Sequence, residues 1–528
     1  MKAKRIILLI LAIVLMAAVI AAVAYFVIAM RDEIDITDTA KSVFSDFKEK
    51  AEAGRTETLD RRERKMCDYW NKVSEICLDS MSEVVDDYGS GKIEEDTAVA
   101  ALSAYSLFPV TSGQISSFTD DVKSITDGRN AYLSAAEEKD NAKKITLLCS
   151  VNSRDTKYYP LAKKELDEVL DPAEARATVN KLLSHNYISD AEKLISALEN
   201  MSDNSSLTKA LSDLVSGYKE SQENTYIYRG SVEVLSVRNL MAFTDKVYAA
   251  GSKYAKSYDA NLITPDELRA ILADLYSNNY ILIPVESLQT DGAVSEIKIP
   301  SGKKPFVLIC EDLTYPSANK GSGVVDRLGL DSDGRLCSYT DGEISYDNET
   351  PLILDAFAEE NPDFVYKGAR GCISLTGYDG FLGYREGEDG AKETAEFLRN
   401  DGWTFACGSY AYRDMAQATF DTLKSDTELW LDKANEIVGE CSVYVWPYGS
   451  SVRTGEKHEY LYEKGFRIFC GVGINAYRAA EPDGKGIFID RKTLSGSALR
   501  NYADAFEKLF DARLAIDSKR PDIKTGEE

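Results

Sequence analysis

Apolar residues along the 528-residue chain follow two regimes, and the change between them comes near residue 229. From 32 to about 222 they recur at spacings of three and four, the period of an amphipathic helix. Leu182, Leu183, Ile188, Ala191, Leu194, Ile195 and Leu198 form one such stripe. Breaks at Gly89-Ser90-Gly91, 109–113, Asp171-Pro172 and 203–206 predict antiparallel helices joined by short loops. Beyond 229 the pattern becomes short apolar runs of strand length at 280–285, 306–310, 372–375, 404–407, 442–446, 466–472 and 486–489. Amphipathic stretches separate most of them, at 265–277, 351–360, 391–400, 414–424 with 426–438, 457–464 and 497–510. Near-continuous apolar strands alternating with helices predict an α/β domain with a mostly parallel, helix-covered sheet. Seven candidate strands favour a (β/α) barrel over a doubly wound sheet.

The N-terminus has a pattern of its own. The stretch 6–30 carries no charge and no proline, and as a helix rising about 1.5 Å per residue it exceeds the roughly 30 Å hydrocarbon core. Lys2, Lys4 and Arg5 precede it, and Arg31 is followed by Asp32, Glu33 and Asp35. The positive-inside bias therefore predicts a single-pass cell-membrane protein with a cytoplasmic N-terminus and the bulk of the chain extracytoplasmic. A cleaved signal peptide with its small-residue site at Ala22-Val23-Ala24 is the competing expectation, although its apolar core is ordinarily much shorter. The expected organisation is a cytoplasmic stub and anchor at 1–31, a helical domain at 32–228, the barrel at 229–512 and a polar tail at 513–528.

Charge and composition narrow the function. With 62 Lys and Arg against 87 Asp and Glu, the net charge is −25, which argues against nucleic acid, whose phosphates need dense cationic partners. Nine cysteines without a C-x-x-C pair predict buried thiols with at most one or two disulfides. The two histidines, His185 and His458, are too far apart in sequence to form a paired-His metal motif. His185 reads as a helix-terminal packing residue, and His458 lies in the charged helical segment around Glu456 and Glu459.

In folds of this class the chemistry sits at the C-terminal ends of the strands. One such end reads Cys310-Glu311-Asp312-Leu313-Thr314-Tyr315. Two adjacent acids directly after a buried strand predict a cleft, as a proton acceptor beside a ligand, or else a carboxylate that caps the next turn. Two further ends, Cys407-Gly408-Ser409-Tyr410-Ala411-Tyr412 and Val445-Trp446-Pro447-Tyr448, are aromatic. Aromatic faces there suit sugar rings, and packing serves equally well to explain them.

With these strand ends, and with the glycine- and tyrosine-rich stretch Ser374-Leu375-Thr376-Gly377-Tyr378-Asp379-Gly380-Phe381-Leu382-Gly383-Tyr384-Arg385, the chain from about 230 to 510 resembles the polysaccharide deacetylases with a NodB-homology domain. It is closest to their membrane-anchored bacterial members. The resemblance implies a deformed (β/α) barrel and hydrolysis of carbon–nitrogen, non-peptide bonds. It places Glu311 at the position of the general base, ordinarily Asp, and Asp312 at that of a metal ligand. The family's two zinc-binding histidines correspond to Gly408 and Tyr412, and its base-orienting Arg to Val445, while Pro447 and Tyr448 are kept. The family's late catalytic histidine has no counterpart after His458. No bound metal is therefore expected, with Asp312 a remnant ligand. Tyr315, Tyr410, Tyr412, Trp446, Pro447 and Tyr448 are the expected substrate-binding residues. The leading expectation is a catalytically impaired module that binds cell-envelope polysaccharide or peptidoglycan fragments. One alternative is an active zinc-dependent N- or O-deacetylase with an atypical site of Glu311, Asp312 and Asp414. The other is a scaffold whose helical domain binds a protein partner while the barrel is passive.

Overall fold

The computed structural model describes residues 16, 20 and 60–521, apart from 108–112, 152–153, 155–156, 203 and 386–387. The apolar stretch 6–30 falls almost wholly outside the described residues, among which no helix is long and apolar enough to cross a membrane. Two compact units are present. Of the described residues, one comprises 60–139 together with Leu147–Glu168, the other Asp140–Thr146 and 169–521.

In the first unit, helices Arg61–Gly89, Glu95–Ala104 and Ile115–Glu137 enclose a core of Met81, Val85, Tyr88, Ala98, Leu102, Val122 and Ile125. The second unit opens with three helices, Pro172–Ser184, Ile188–Met201 and Ser205–Glu223, so the change of period at 229 marks a change of secondary structure within one unit. The Asp171 carboxylate caps the first helix at Ala173 N, 2.7 Å, and Asn204 caps the third at Leu207 N, 3.1 Å. Polar ties bind the first helix to the barrel. The fully buried Arg370 donates to Ser184 O at 2.9 Å and to Asp355 at 2.7 Å, and His185, the residue that ends the helix, places Nε2 2.5 Å from Asp401 Oδ1.

Seven strands close the barrel: β1 Glu233–Arg238, β2 Lys304–Glu311, β3 Cys372–Leu375, β4 Thr404–Cys407, β5 Val443–Val445, β6 Ile468–Val472 and β7 Ile487–Thr493. Each runs parallel to the next, and β7 pairs with β1, so the ring follows chain order. Several elements differ from expectation, among them the helix expected at 497–510, which spans Gly496–Asn501. The apolar run at 280–285 gives Tyr280–Leu282, which pairs with the start of β2, bridges to Val365 and stands outside the ring. Its place is taken by β1, whose sequence Glu-Val-Leu-Ser-Val-Arg lacks a continuous apolar run. Among the helices, the one expected from 414 begins at Phe420, because Thr419 caps it by accepting Thr422 N at 3.2 Å.

Period-two alternation sorts the strand side chains. Val307 and Ile309 of β2, Val443 and Val445 of β5, and Ile487 and Ile489 of β7 share the barrel's interior cluster. Leu308, Tyr444, Phe469 and Phe488 pack outward against the helices with Leu272, Leu398 and Trp430. The next inward positions on β2 and β7 are Glu311 and Arg491, while Ser236 follows Val234 on β1 and donates to Thr493 at 3.3 Å. An apolar interior is thus closed at its C-terminal end by a polar layer.

The segment 513–521 is no free tail. Asp511 caps a helical turn, Ala512–Ala515, and the buried Arg520 returns to Glu267 and Asp259.

Candidate functional site

At the mouth of the barrel, Glu311 and Arg491 form a two-pronged ion pair. Arg491 Nε donates to Glu311 Oε1 at 2.6 Å and Nη2 to Oε2 at 3.1 Å. Its remaining N–H groups reach backbone carbonyls at the ends of β5 and β6: Nη1 to Cys470 at 3.0 Å and Gly471 at 2.8 Å, Nη2 to Trp446 at 3.2 Å. Five donors have five acceptors. Burial pushes the Glu311 carboxyl up, but the charge and hydrogen bonds of Arg491 outweigh it, and the group ends below the ordinary carboxylate value.

Asp312, one residue on, has a left-handed backbone (φ 56°) and a different environment. Its Oδ1 accepts the Thr376 hydroxyl at 2.9 Å, and its Oδ2 lies 3.4 Å from Arg238 Nη2 at the end of β1. Burial dominates here and raises its pKa, against the opposing pull of Arg238 and Thr376. Of the two acids, Asp312 is the one disposed to take up a proton. Replacement of Thr376 by Val should raise the Asp312 pKa further and cost about 1–3 kcal/mol, through loss of a buried charge-assisted hydrogen bond. Carboxyl-detected NMR titration and urea unfolding measure the two effects.

Left-handed, non-glycine backbone gathers at this end of the barrel. Asp312, Tyr315, Ser409, Tyr412 and Tyr448 all have φ between 48° and 63°, on the loops after β2, β4 and β5. Such conformations cost on the order of 1–3 kcal/mol each and persist where the surrounding packing imposes them. Their effect here is to aim side chains. The turn Pro447–Gly449 projects Tyr448 outward, 65% exposed, with its ring 5.0 Å from that of Tyr412 and its hydroxyl donating to Tyr412 O at 3.3 Å. Gly449 is required behind it, since a Cβ there would lie 2.5 Å from Val472 Cβ.

The other expected contact residues lie elsewhere. Trp446 is fully buried and packs edge-on against Tyr444 in the outer core, because residues 444 and 446 share the outward face of β5 and its continuation. Tyr315 and Pro447 are buried as well, which leaves no face for a ligand. Tyr410 is half-buried, its backbone N–H held by Asp426 at 2.7 Å and its ring against Gly377, where a Cβ would come within 2.4 Å. Asp414 accepts Gln417 N at 3.2 Å, an ordinary turn cap. His458 is buried beside Phe469, its Nδ1 3.1 Å from Asp483 and its Nε2 3.6 Å from Glu481.

The donor set at the strand ends does not fit a zinc ion. Gly408 offers no side chain, and a Cβ there would already stand 2.8 Å from Ser374 Oγ and 3.1 Å from Leu375 O. The Tyr412 phenol is pushed up to about 12, chiefly by burial, and so stays neutral. Asp312 is engaged by Arg238 and Thr376. Among the described residues, no group of three or more His, Cys, Asp or Glu could hold a metal.

No protein-family model matches the sequence, and no curated protein matches it. The solved structures similar to it include two deacetylases. One is the Streptococcus pyogenes deacetylase PplD in complex with acetate, at 13% identity and a TM-score of 0.31, covering 51% of this chain and 93% of that one. The other is BC0361, a polysaccharide deacetylase from Bacillus cereus, at 13% identity and a TM-score of 0.32, covering 53% of this chain and 69% of that one.

Sequence reasoning located Glu311, Asp312, Tyr412 and Tyr448, which the fold brings to one mouth. It missed Arg491, Arg238 and Thr376. A signal for Arg491 was present in Ile487-Phe488-Ile489-Asp490-Arg491, where strand alternation carries an arginine into line behind two inward isoleucines.

Proposed function

We propose that this chain is a membrane-anchored, extracytoplasmic barrel of polysaccharide-deacetylase type that binds cell-envelope glycan at its strand-end mouth without metal-dependent hydrolysis. The observation that carries this reading is the saturated Glu311–Arg491 pair: the carboxylate at the position the family resemblance gives to the base is tied by both oxygens and held below its ordinary pKa. A general base works best with a pKa near the working pH, and Arg491 holds this one below its ordinary value. The poor fit of the donor set to zinc supports the same reading. What the mouth offers a ligand is Tyr412, Tyr448 and Tyr378, the last 49% exposed, around Arg238 and Asp312. Exposed phenol rings suit the C–H faces of sugars. The charge-free run at 6–30 supports the anchor.

The test is titration of the purified full chain with zinc, cobalt and nickel, alongside deacetylation assays on chito-oligosaccharides and peptidoglycan fragments. The expected result is no stoichiometric binding at micromolar concentration and no release of acetate, with retention of glycan that Tyr448→Ala weakens about tenfold, the order of a lost stacking contact. Stoichiometric metal uptake with turnover would overturn the proposal. A second reading, residual hydrolysis, has one observation in its favour, the raised pKa of Asp312. It requires any turnover to vanish in Asp312→Asn.

A further inference from the structure

The two guanidinium groups at the mouth are used very differently. Arg491 is 1% exposed in its side chain and gives every N–H group to a fixed acceptor. Arg238 is 32% exposed and makes one long hydrogen bond, 3.4 Å, to Asp312. Its guanidinium carbon otherwise lies 5.5 Å from the centroid of the Tyr412 ring, a cation–π placement. Tyr448 stands against the same ring. An arginine held beside an aromatic ring, partly exposed and with most N–H donors unassigned, is poised to bind an oxyanion. Beside it, Glu311 is already neutralised by Arg491, so the local charge is set by Arg238 and by Asp312, whose Oδ1 is turned to Thr376.

We infer that Arg238 is the docking point for a carboxylate carried by the bound glycan, so that the mouth selects acidic sugars over neutral ones. The inference rests on the glycan-binding reading and specifies its ligand class. The ring of an acidic sugar lies against Tyr448 while its carboxylate meets the outer edge of the Arg238 fork, in the geometry of a bidentate arginine–carboxylate pair. Asp312 competes for the same guanidinium and so sets the affinity.

The experiment is calorimetric titration of the full chain in mild detergent with tetragalacturonate and with its methyl ester, which has the same rings without the charge. The expected result is a preference for the free acid of about tenfold, shrinking as salt is raised. Arg238→Gln should abolish the preference, weakening the free acid about tenfold more than the ester, and Asp312→Asn should strengthen binding of the free acid by releasing Arg238. Thermal melts of each variant report that the barrel is intact. Equal affinity for acid and ester in the wild type, or a preference that survives Arg238→Gln, overturns this inference and leaves the glycan reading standing. No binding of either tetramer, nor of neutral chitotetraose, overturns both.

Discussion

Replacing Arg491 by Met is expected to lower stability by about 3–5 kcal/mol, the cost of leaving one member of a buried ion pair without its partner. The substitution removes the Arg491 donors from both Glu311 oxygens and from three strand-end carbonyls, of which those of Trp446 and Cys470 keep a backbone N–H and that of Gly471 loses a 2.8 Å bond. Chemical denaturation at pH 7 measures the loss. Its pH dependence has a definite sign. In the wild type, burial raises the Glu311 pKa but the Arg491 pair more than reverses this. The pair's contribution is therefore fully present above the unfolded-state value of about 4.3 and fades as pH falls through the lower folded value. In Arg491→Met, burial, the largest influence on Glu311, is opposed by Ser236 and Arg238 without the pair, so the folded state gains relative to the unfolded one as the carboxyl takes up its proton. The deficit should shrink from both sides on acidification below about pH 5. The double variant Arg491→Met with Glu311→Leu should recover most of the loss, since apolar replacement of both partners removes the desolvation penalty. A single variant of wild-type stability, or a double variant no better than the single, would count against the pair as the barrel's polar closure.

The second large effect is expected at Arg520, in the segment that follows the barrel. Arg520 donates to both Glu267 oxygens, at 2.5 and 2.7 Å, to Asp259 Oδ1 and backbone O at 2.9 Å, and to Leu262 O at 2.7 Å. Glu267 also closes the capping box of helix Pro265–Ser277 with Thr264. Arg520→Ala should cost about 3 kcal/mol, toward the lower end of the range for a broken buried pair. Asp259 keeps Arg500 and the Tyr248 hydroxyl, and Glu267 keeps the N–H groups of Thr264 and Asp517. A chain ending at residue 516 should lose at least as much. An unattached polar tail would change stability by no more than about 0.5 kcal/mol on removal, and that result in urea unfolding would return 513–521 to the role its composition predicts.

These two positions show where reading the sequence stops. Arg520 sits in Asp517-Ser518-Lys519-Arg520-Pro521, a composition that nothing local separates from a solvated terminus. Its partners lie about 250 residues earlier, on a helix and the segment before it. β1 was missed for a related reason. Apolar continuity identifies strands whose inner face meets an apolar interior, and Ser236 instead faces the polar layer at the mouth. Trp446 and Tyr448 differ by two positions and share an aromatic character, yet one is fully buried and the other 65% exposed. The left-handed backbone of Tyr448 and the close approach of Gly449 to Val472 decide that difference.

By itself the sequence determined the alternation of strands and helices that closes into a barrel, the acids that end one strand, and the aromatic character of the loops that carry Tyr412 and Tyr448. All of these are local properties of side-chain type and spacing. The tertiary structure alone decided how the acids are used. Glu311 becomes half of a closed ion pair because β7, 180 residues later, lines up Arg491 with it across the interior, and Asp312 is left to share a half-exposed Arg238 with whatever enters the mouth. Charge pairing depends on distances set by ring closure, and no spacing along the chain encodes them.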